Sequence, residues 1–252
     1  GMMRYMERAS EITPGGYDIL KPDGTGFHHG THYPNYMYSY RGWVSILYNA
    51  RGTVFRVGQE AYESFKKAAI SMCLLATRGE NNYIANSVGG RNPFEGNKLM
   101  FYKQNMKDLS AVGGDIYGKT SDTEVDEFIT YQFDKSSAST KYDGYYAFNW
   151  SPVGVYRHNN WVATMRSATT KFWGSEIYVS RNRFGRYQSH GTLEVLYNDQ
   201  STATGYPANR NESGWDWNVV PGGTTVHYTN WTEMMPGKNV TQRFDQNSKT
   251  KD

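Results

Sequence analysis

Three histidines and two tyrosines crowd the segment Phe27-His28-His29-Gly30-Thr31-His32-Tyr33-Pro34-Asn35-Tyr36. Two chemistries suit such a run. Imidazoles ligate zinc, but a zinc motif needs a defined spacing and context, such as His at i and i+4 on a helix. Gly30 and Pro34 make this segment a loop, and the chain has no His-Glu-x-x-His motif. The other chemistry is acid–base transfer. A tyrosine with its ordinary pKa near about 10 is a poor base. A neighbouring cation favours the phenolate and lowers that value, and His and Arg are such neighbours.

A second group runs from Trp173-Gly174-Ser175-Glu176-Ile177-Tyr178 into Arg181-Asn182-Arg183-Phe184-Gly185-Arg186-Tyr187-Gln188-Ser189-His190-Gly191. Three arginines within six positions can hold a carboxylate or sulfate through charge-assisted, often bidentate bonds. The plainer reading is a solvated turn between strands. Gly214-Trp215-Asp216-Trp217-Asn218, followed by Pro221-Gly222-Gly223-Thr224-Thr225, is unusual in composition but suggests no mechanism by its chemistry alone.

The elements that must position these residues change character near residue 95. Glu60 to Thr77 reads as a helix, with Ala61, Phe65, Ala68, Met72 and Leu75 on one face at three- and four-residue steps. Lys66 and Lys67 lie off that stripe, and Arg78-Gly79 is a fitting stop. Met37 to Tyr48 and Met2 to Ser10 are further helix candidates. Beyond residue 95 the pattern predicts strands at Phe128 to Phe133, Gly144 to Trp150, Trp161 to Met165, Glu176 to Val179, Thr192 to Tyr197 and Thr224 to Tyr228. Turn clusters such as Lys141-Tyr142-Asp143-Gly144 separate them. Strands without intervening helices favour an antiparallel sheet. The reading is α+β: a helical part over residues 1–95 and a β part over 96–252, with no internal repeat.

Composition bounds the function. The 252 residues are enough for one large domain or two modest ones. Aromatics make up 15% of the chain, with 21 Tyr and 7 Trp. That suits sugar handling, where rings pack on pyranose C–H groups, and it equally suits strands. A net charge of +3 permits an anionic partner without demanding one. No Lys/Arg run points to nucleic acid. No apolar stretch approaches the roughly 18 residues of a membrane span. The single cysteine, Cys73, excludes an internal disulfide and reads as core. Gly1-Met2 resembles a tag remnant, and no signal peptide is visible. A calcium or magnesium ion near Asp18 or Asp23 competes with the commoner use of such carboxylates as caps; otherwise no cofactor is expected.

Four stretches together resemble family eight of the polysaccharide lyases, and within it the chondroitin sulfate ABC lyases. They are Asp23-Gly24-Thr25 through Tyr36, Gly89-Gly90-Arg91-Asn92-Pro93-Phe94, Ser175 through Gly191, and Gly214 through Thr225. The resemblance implies the C-terminal part of an incomplete α/α toroid followed by an antiparallel β-sandwich. It also implies that the chain lacks part of the substrate cleft, including an upstream Asn used at the uronate carboxylate.

By the resemblance, His29, Tyr36, Arg91 and Glu176 match the family's catalytic His, Tyr, Arg and Glu. His28 stands where ABC lyases carry Arg, which implies a shifted substrate preference. His28, Trp43, Arg183 and Arg186 are the expected substrate contacts. The implied reaction is β-elimination of acidic, uronic-acid-containing polysaccharide, outside the cell or in the periplasm, with neither nucleic acid nor membrane as partner. The competing expectations are a non-catalytic glycan-binding fragment and a metal-dependent hydrolase built on the histidine cluster.

Overall fold

Apolar side chains three and four positions apart build the helical layer. The structure, a computed structural model, describes residues 1–12, 19–27, 39–85, 88, 97–167 and 192–197. Helix α1 is Met2–Glu7, continued by a 3-10 turn at Arg8–Ser10. Helix α2 is Ser39–Ala50, α3 is Gln59–Cys73, α4 is Lys103–Tyr117 and α5 is Thr123–Phe133. The expected helices at 2–10, 37–48 and 60–77 therefore exist with shifted ends. Helix α2 packs on α4 and α4 on α5, while α3 touches both α4 and α5.

Helix α3 buries Tyr62, Phe65, Ala68, Ala69, Met72 and Cys73. It ends sooner than its apolar period suggests. Ala76 pairs with Ile84 in an antiparallel bridge, and the Thr77 N–H donates to the Tyr83 carbonyl at 2.8 Å. Arg78-Gly79 is thus not the helix stop: Leu74 caps α3, and the Gly79 N–H donates to the Gln132 carbonyl at 3.0 Å. Lys66 lies off the apolar stripe yet is buried. Its Nζ meets Glu124 at 2.8 Å, Glu63 at 2.9 Å and Asp122 at 3.2 Å. Sequence patterning sees charge there but not its partners, two of which lie more than 50 residues on.

The largest correction concerns residues beyond 95. Lys103–Tyr117 and Thr123–Phe133 are helices, so Phe128 to Phe133 is not a strand. Its aromatics are half of a helical period that starts at Val125, behind the Asp122 carboxylate, which accepts from the Glu124 N–H as an N-cap. Helix α4 was concealed by Gly113-Gly114. Both glycines serve close packing: a Cβ on Gly114 would meet the backbone of Thr120 and Ser121 at 2.6 Å, and one on Gly113 would overlap the Tyr62 hydroxyl. Among the described residues the chain passes from helix to sheet between Phe133 and Gly144 rather than at 95.

The sheet is a four-stranded antiparallel meander, β5 (Gly144–Phe148), β6 (Val153–His158), β7 (Trp161–Arg166) and β8 (Thr192–Tyr197). Register sets Tyr146 beside Val155, Val155 beside Thr164, and Thr164 beside Glu194. Alternation sends Val153, Val155, Val162 and Leu196 inward. Tyr145, Tyr156, Met165, Leu193, Val195 and Tyr197 stay exposed on the opposite face. The expected strands at 144–150, 161–165 and 192–197 are present. Those at 176–179 and 224–228 lie outside the described residues. Strand β6 was not anticipated, because Arg157 interrupts its inward apolar pattern.

Arg157 is fully buried and fastens sheet to helices. Its Nη1 donates to the Leu74 and Ala76 carbonyls at 2.6 Å each, Nη2 to Gln132 Oε1 at 2.9 Å, and Nε to the Tyr131 hydroxyl at 3.0 Å. Cys73 is buried in the same core, as its apolar neighbours predict, and burial raises its thiol pKa against the opposing pull of Arg157.

Candidate active site

The described residues frame the histidine segment from both sides. Two-residue strands β1 (Ile19–Leu20) and β2 (Gly26–Phe27) pair antiparallel, with Ile19 opposite Phe27. The tight turn between them exists because Gly24 takes φ 89°. Asp23 locks it: Oδ1 accepts from the Thr25 N–H at 3.0 Å and from the Thr25 hydroxyl at 2.7 Å, and Oδ2 accepts from the Trp150 N–H at 2.9 Å. Both carboxylate oxygens of Asp23 are therefore engaged with protein donors. Asp18 lies outside the described residues. Among the described residues no group of three or more His, Cys, Asp or Glu is placed to hold a metal ion.

His28 follows β2 directly, and α2 begins three residues after Tyr36. His28, His29, Tyr36, Arg91, Glu176, Arg183 and Arg186 themselves lie outside the described residues. Arg91 falls between strands β3 (Tyr83–Ile84) and β4 (Asn97–Lys98), which pair antiparallel. Glu176, Arg183 and Arg186 fall between β7 and β8.

Trp43 is described. It is half-buried on α2, and its indole Nε1 donates to Ser10 Oγ at 2.9 Å, which fixes the ring against the first helix. Tyr5, Met6, Arg8, Ala9 and Trp43 line an open groove of about 490 Å³. Arg8 meets Glu11 at 3.8 Å with both side chains well exposed, a weak pairing that leaves the guanidinium accessible. Sequence reasoning singled out Trp43 and passed over Tyr5 and Arg8. The available signal was their three-residue spacing on one short helical segment.

Elsewhere in the helical layer ionised groups hold the helices together. Burial alone would raise the Asp122 pKa, but hydrogen bonds from the Tyr62 hydroxyl at 2.8 Å and from Lys66, with the Lys66 charge, hold it below the usual carboxylate value. Tyr62 is pushed up, first by burial and then by its bond to Asp122.

The model of the lyase catalytic domain family, described as "Lyase, catalytic", matches residues 1–133, which is 133 of the 252 residues. The chain belongs to this lyase family. The match bears out the resemblance to the polysaccharide lyases, and it runs through α5, where the described helices end. Chondroitin sulfate ABC endolyase of Proteus vulgaris is 31% identical over 227 residues, covering 86% of this chain and 21% of the relative. Chondroitin sulfate ABC exolyase of the same organism is 27% identical over 236 residues, covering 87% and 22%. The chain thus spans about a fifth of the length of these curated relatives. Among solved structures, a chondroitinase AC lyase superposes with a TM-score of 0.67 over 90% of this chain and 32% of that one, at 20% identity. This likeness shows that the α+β lyase fold is shared.

Proposed function

We propose that this lyase-family chain cleaves uronic-acid-containing glycosaminoglycans, chondroitin or dermatan sulfate and by extension hyaluronan, by β-elimination. The observation that carries the reading is the family match over residues 1–133, which includes His29, Tyr36 and Arg91. The curated relatives named for chondroitin sulfate support the substrate class.

The chemistry follows from the substrate. The C5 proton of a uronate is α to a carboxylate and barely acidic. Donors fixed on that carboxylate stabilise the carbanion-like charge that develops. Tyr36 as phenolate takes the C5 proton, the C4–O4 bond breaks, a C4–C5 double bond forms, and a proton returns to the leaving O4 oxygen. His29 assists at the carboxylate or serves as base for the opposite C5 epimer. Arg91 lowers the Tyr36 pKa and binds the anion, and Glu176 orients His29 or Arg91. The residues perform each step without an organic cofactor.

The groove at Trp43 is where we place part of the glycan, with the ring of Trp43 against a sugar face and Arg8 toward a sulfate or carboxylate. His28, Arg183 and Arg186 are proposed as further anion contacts. For the fold, we read the helices as part of an α/α toroid and the sheet as one layer of a sandwich. The apolar outer face of β5–β8 supports that second layer, since exposed patches of this kind are rarely left bare. Action outside the cell or in the periplasm fits such a substrate.

The test is ultraviolet absorbance during incubation with chondroitin sulfate, dermatan sulfate and hyaluronan, beside Tyr36→Phe. Absorbance from conjugated, unsaturated uronate that the variant abolishes is the expected result. Well-folded protein that binds these glycans without producing unsaturated ends would replace the lyase by a glycan-binding fragment.

A further inference from the structure

Two carboxylate oxygens, three hydroxyls and a glycine clamp the turn that precedes the histidine segment, and the clamp joins three separate parts of the fold. Asp23 Oδ2 accepts from the Trp150 N–H at 2.9 Å, in the turn between β5 and β6. Thr25, itself buried, donates its hydroxyl to Asp23 Oδ1 at 2.7 Å and accepts from the buried Ser151 hydroxyl at 2.8 Å. On the other side the turn lies on α3. Lys67 Nζ donates to the Pro22 carbonyl at 2.6 Å and Ser71 Oγ to the Asp23 carbonyl at 3.5 Å. A Cβ on Gly24 would stand 2.5 Å from Ser71 Oγ and 3.0 Å from Lys67 Cγ, and its φ of 89° strains any other residue there. Within the turn the Lys21 N–H donates to the Thr25 carbonyl and the Gly24 N–H to the Lys21 carbonyl, each at 2.8 Å.

Sequence separation makes this arrangement informative. Trp150 and Ser151 lie more than 120 residues from Asp23, so a local cap would not need them. A surface turn between two-residue strands is ordinarily a place of low local stability. This one is tied to the helical layer and to the sheet at once, and only two peptide links separate Phe27 of β2 from His29.

We propose that Asp23 is a positioning residue: through Thr25, Trp150 and Ser151 it fixes the strand that delivers His29 relative to both helices and sheet. The proposal rests on the lyase reading for the role of His29, but not for the clamp. It assigns Asp23 no contact with substrate. A displacement of about 1 Å at a reacting group can cost on the order of a hundredfold in rate. Loss of the clamp therefore lowers kcat rather than substrate affinity.

The experiment compares the full chain with Asp23→Ala, Ser151→Ala and, as a control for a buried hydrogen bond elsewhere, Tyr62→Phe. Two readouts are taken: kcat and KM on chondroitin sulfate, and the pH titration of histidine ring signals by NMR, with the His29 signal identified by its loss in His29→Gln. Asp23→Ala is expected to lower kcat by about tenfold to a hundredfold with KM little changed, and to move the His29 titration. Ser151→Ala removes one link only and shifts both readouts the same way by less, which keeps the test open should Asp23→Ala fold poorly. Tyr62→Phe moves neither. An unchanged His29 titration in folded Asp23→Ala overturns the proposal, as does a rise in KM at constant kcat. A displaced His29 signal in protein that turns over no glycosaminoglycan upholds the clamp and removes the lyase reading.

Discussion

Lys66 and Arg157, two of the buried cations among the described residues, are satisfied in opposite ways. Lys66, between α3 and α5, meets three carboxylates, those of Glu63, Asp122 and Glu124. Arg157, between the sheet and the ends of α3 and α5, meets no carboxylate among the described residues; its acceptors there are two backbone carbonyls, an amide oxygen and a phenol. A planar guanidinium has five fixed donors and can serve neutral acceptors spread across two layers, whereas an ammonium is a compact charge that suits a cluster of anions. The Lys66 contact between helices is therefore an electrostatic joint, and the Arg157 contact between helices and sheet is a joint of hydrogen bonds to neutral acceptors, one of which, Tyr131, donates in turn to Asp143 at 3.0 Å.

The largest effect should come from Arg157→Met. It removes the donor from the Leu74 carbonyl and from Gln132 Oε1, and one donor each from the Ala76 carbonyl, which keeps Gln132 Nε2 at 3.4 Å, and from the Tyr131 hydroxyl, which still donates to Asp143 at 3.0 Å. At roughly 1–3 kcal/mol for each buried group left unsatisfied, with part of the loss recovered by relaxation, destabilisation of about 4 kcal/mol is expected. Urea unfolding measures it. Because no ionised partner is uncovered, the deficit relative to wild type should stay constant from pH 7 down to pH 3. A deficit that changes with pH would break the contrast.

Lys66→Met should cost less, about 2 kcal/mol at pH 7, since Glu63 and Glu124 reach solvent and only Asp122 is left as a buried anion without its cation. Here the pH dependence carries the argument. The folded Asp122 pKa lies below its ordinary value of 3.8, so its contribution is present above that value and is lost as pH falls through the lower, folded one. Without Lys66 the depression shrinks to what the Tyr62 hydroxyl and the Glu124 N–H sustain, and protonation relieves the buried charge. The deficit of Lys66→Met relative to wild type should therefore shrink as pH drops below about 4, in the window where the deficit of Arg157→Met stays flat.

Neither joint was legible as such in the sequence, and the reason is the same for both. The helical period in 60–77 showed where α3 lies, and alternation showed β5, β7 and β8, because those signals are local. Lys66 read only as a residue off the apolar stripe and Arg157 hid β6, because most of what satisfies each of them sits on other elements. Phe128 to Phe133 looked like a strand because only part of its helical period was counted. The chemistry-bearing residues were legible in another way: His29, Tyr36, Arg91 and Glu176 stood out through family resemblance, not through periodicity. Trp43 alone of the expected substrate contacts falls within the described residues, and it lines a groove.

The smallest effect sharpens the electrostatic side of the comparison. Tyr117 on α4 donates a hydrogen bond to Glu63, at the edge of the Lys66 cluster. Burial first, and then that bond, raise its pKa from 10.0 to about 12, while Lys66 pulls it down. A phenol whose folded pKa is raised contributes stability that is complete below its unfolded value near 10 and is lost as pH climbs toward about 12. Tyr117→Phe removes both the bond and the ionisation. At neutral pH the loss should be under about 1 kcal/mol, since Glu63 is partly exposed. Between pH 10 and 12 the variant should lose stability less steeply than wild type, and one late-ionising tyrosine should vanish from the phenolate absorbance titration. The Arg157 joint, which has its own phenol in Tyr131, provides the internal contrast. There the guanidinium's charge and hydrogen bond oppose the rise that burial causes. A Tyr117→Phe protein with the alkaline profile of wild type would mean that the carboxylate cluster does not govern this edge of the helical layer.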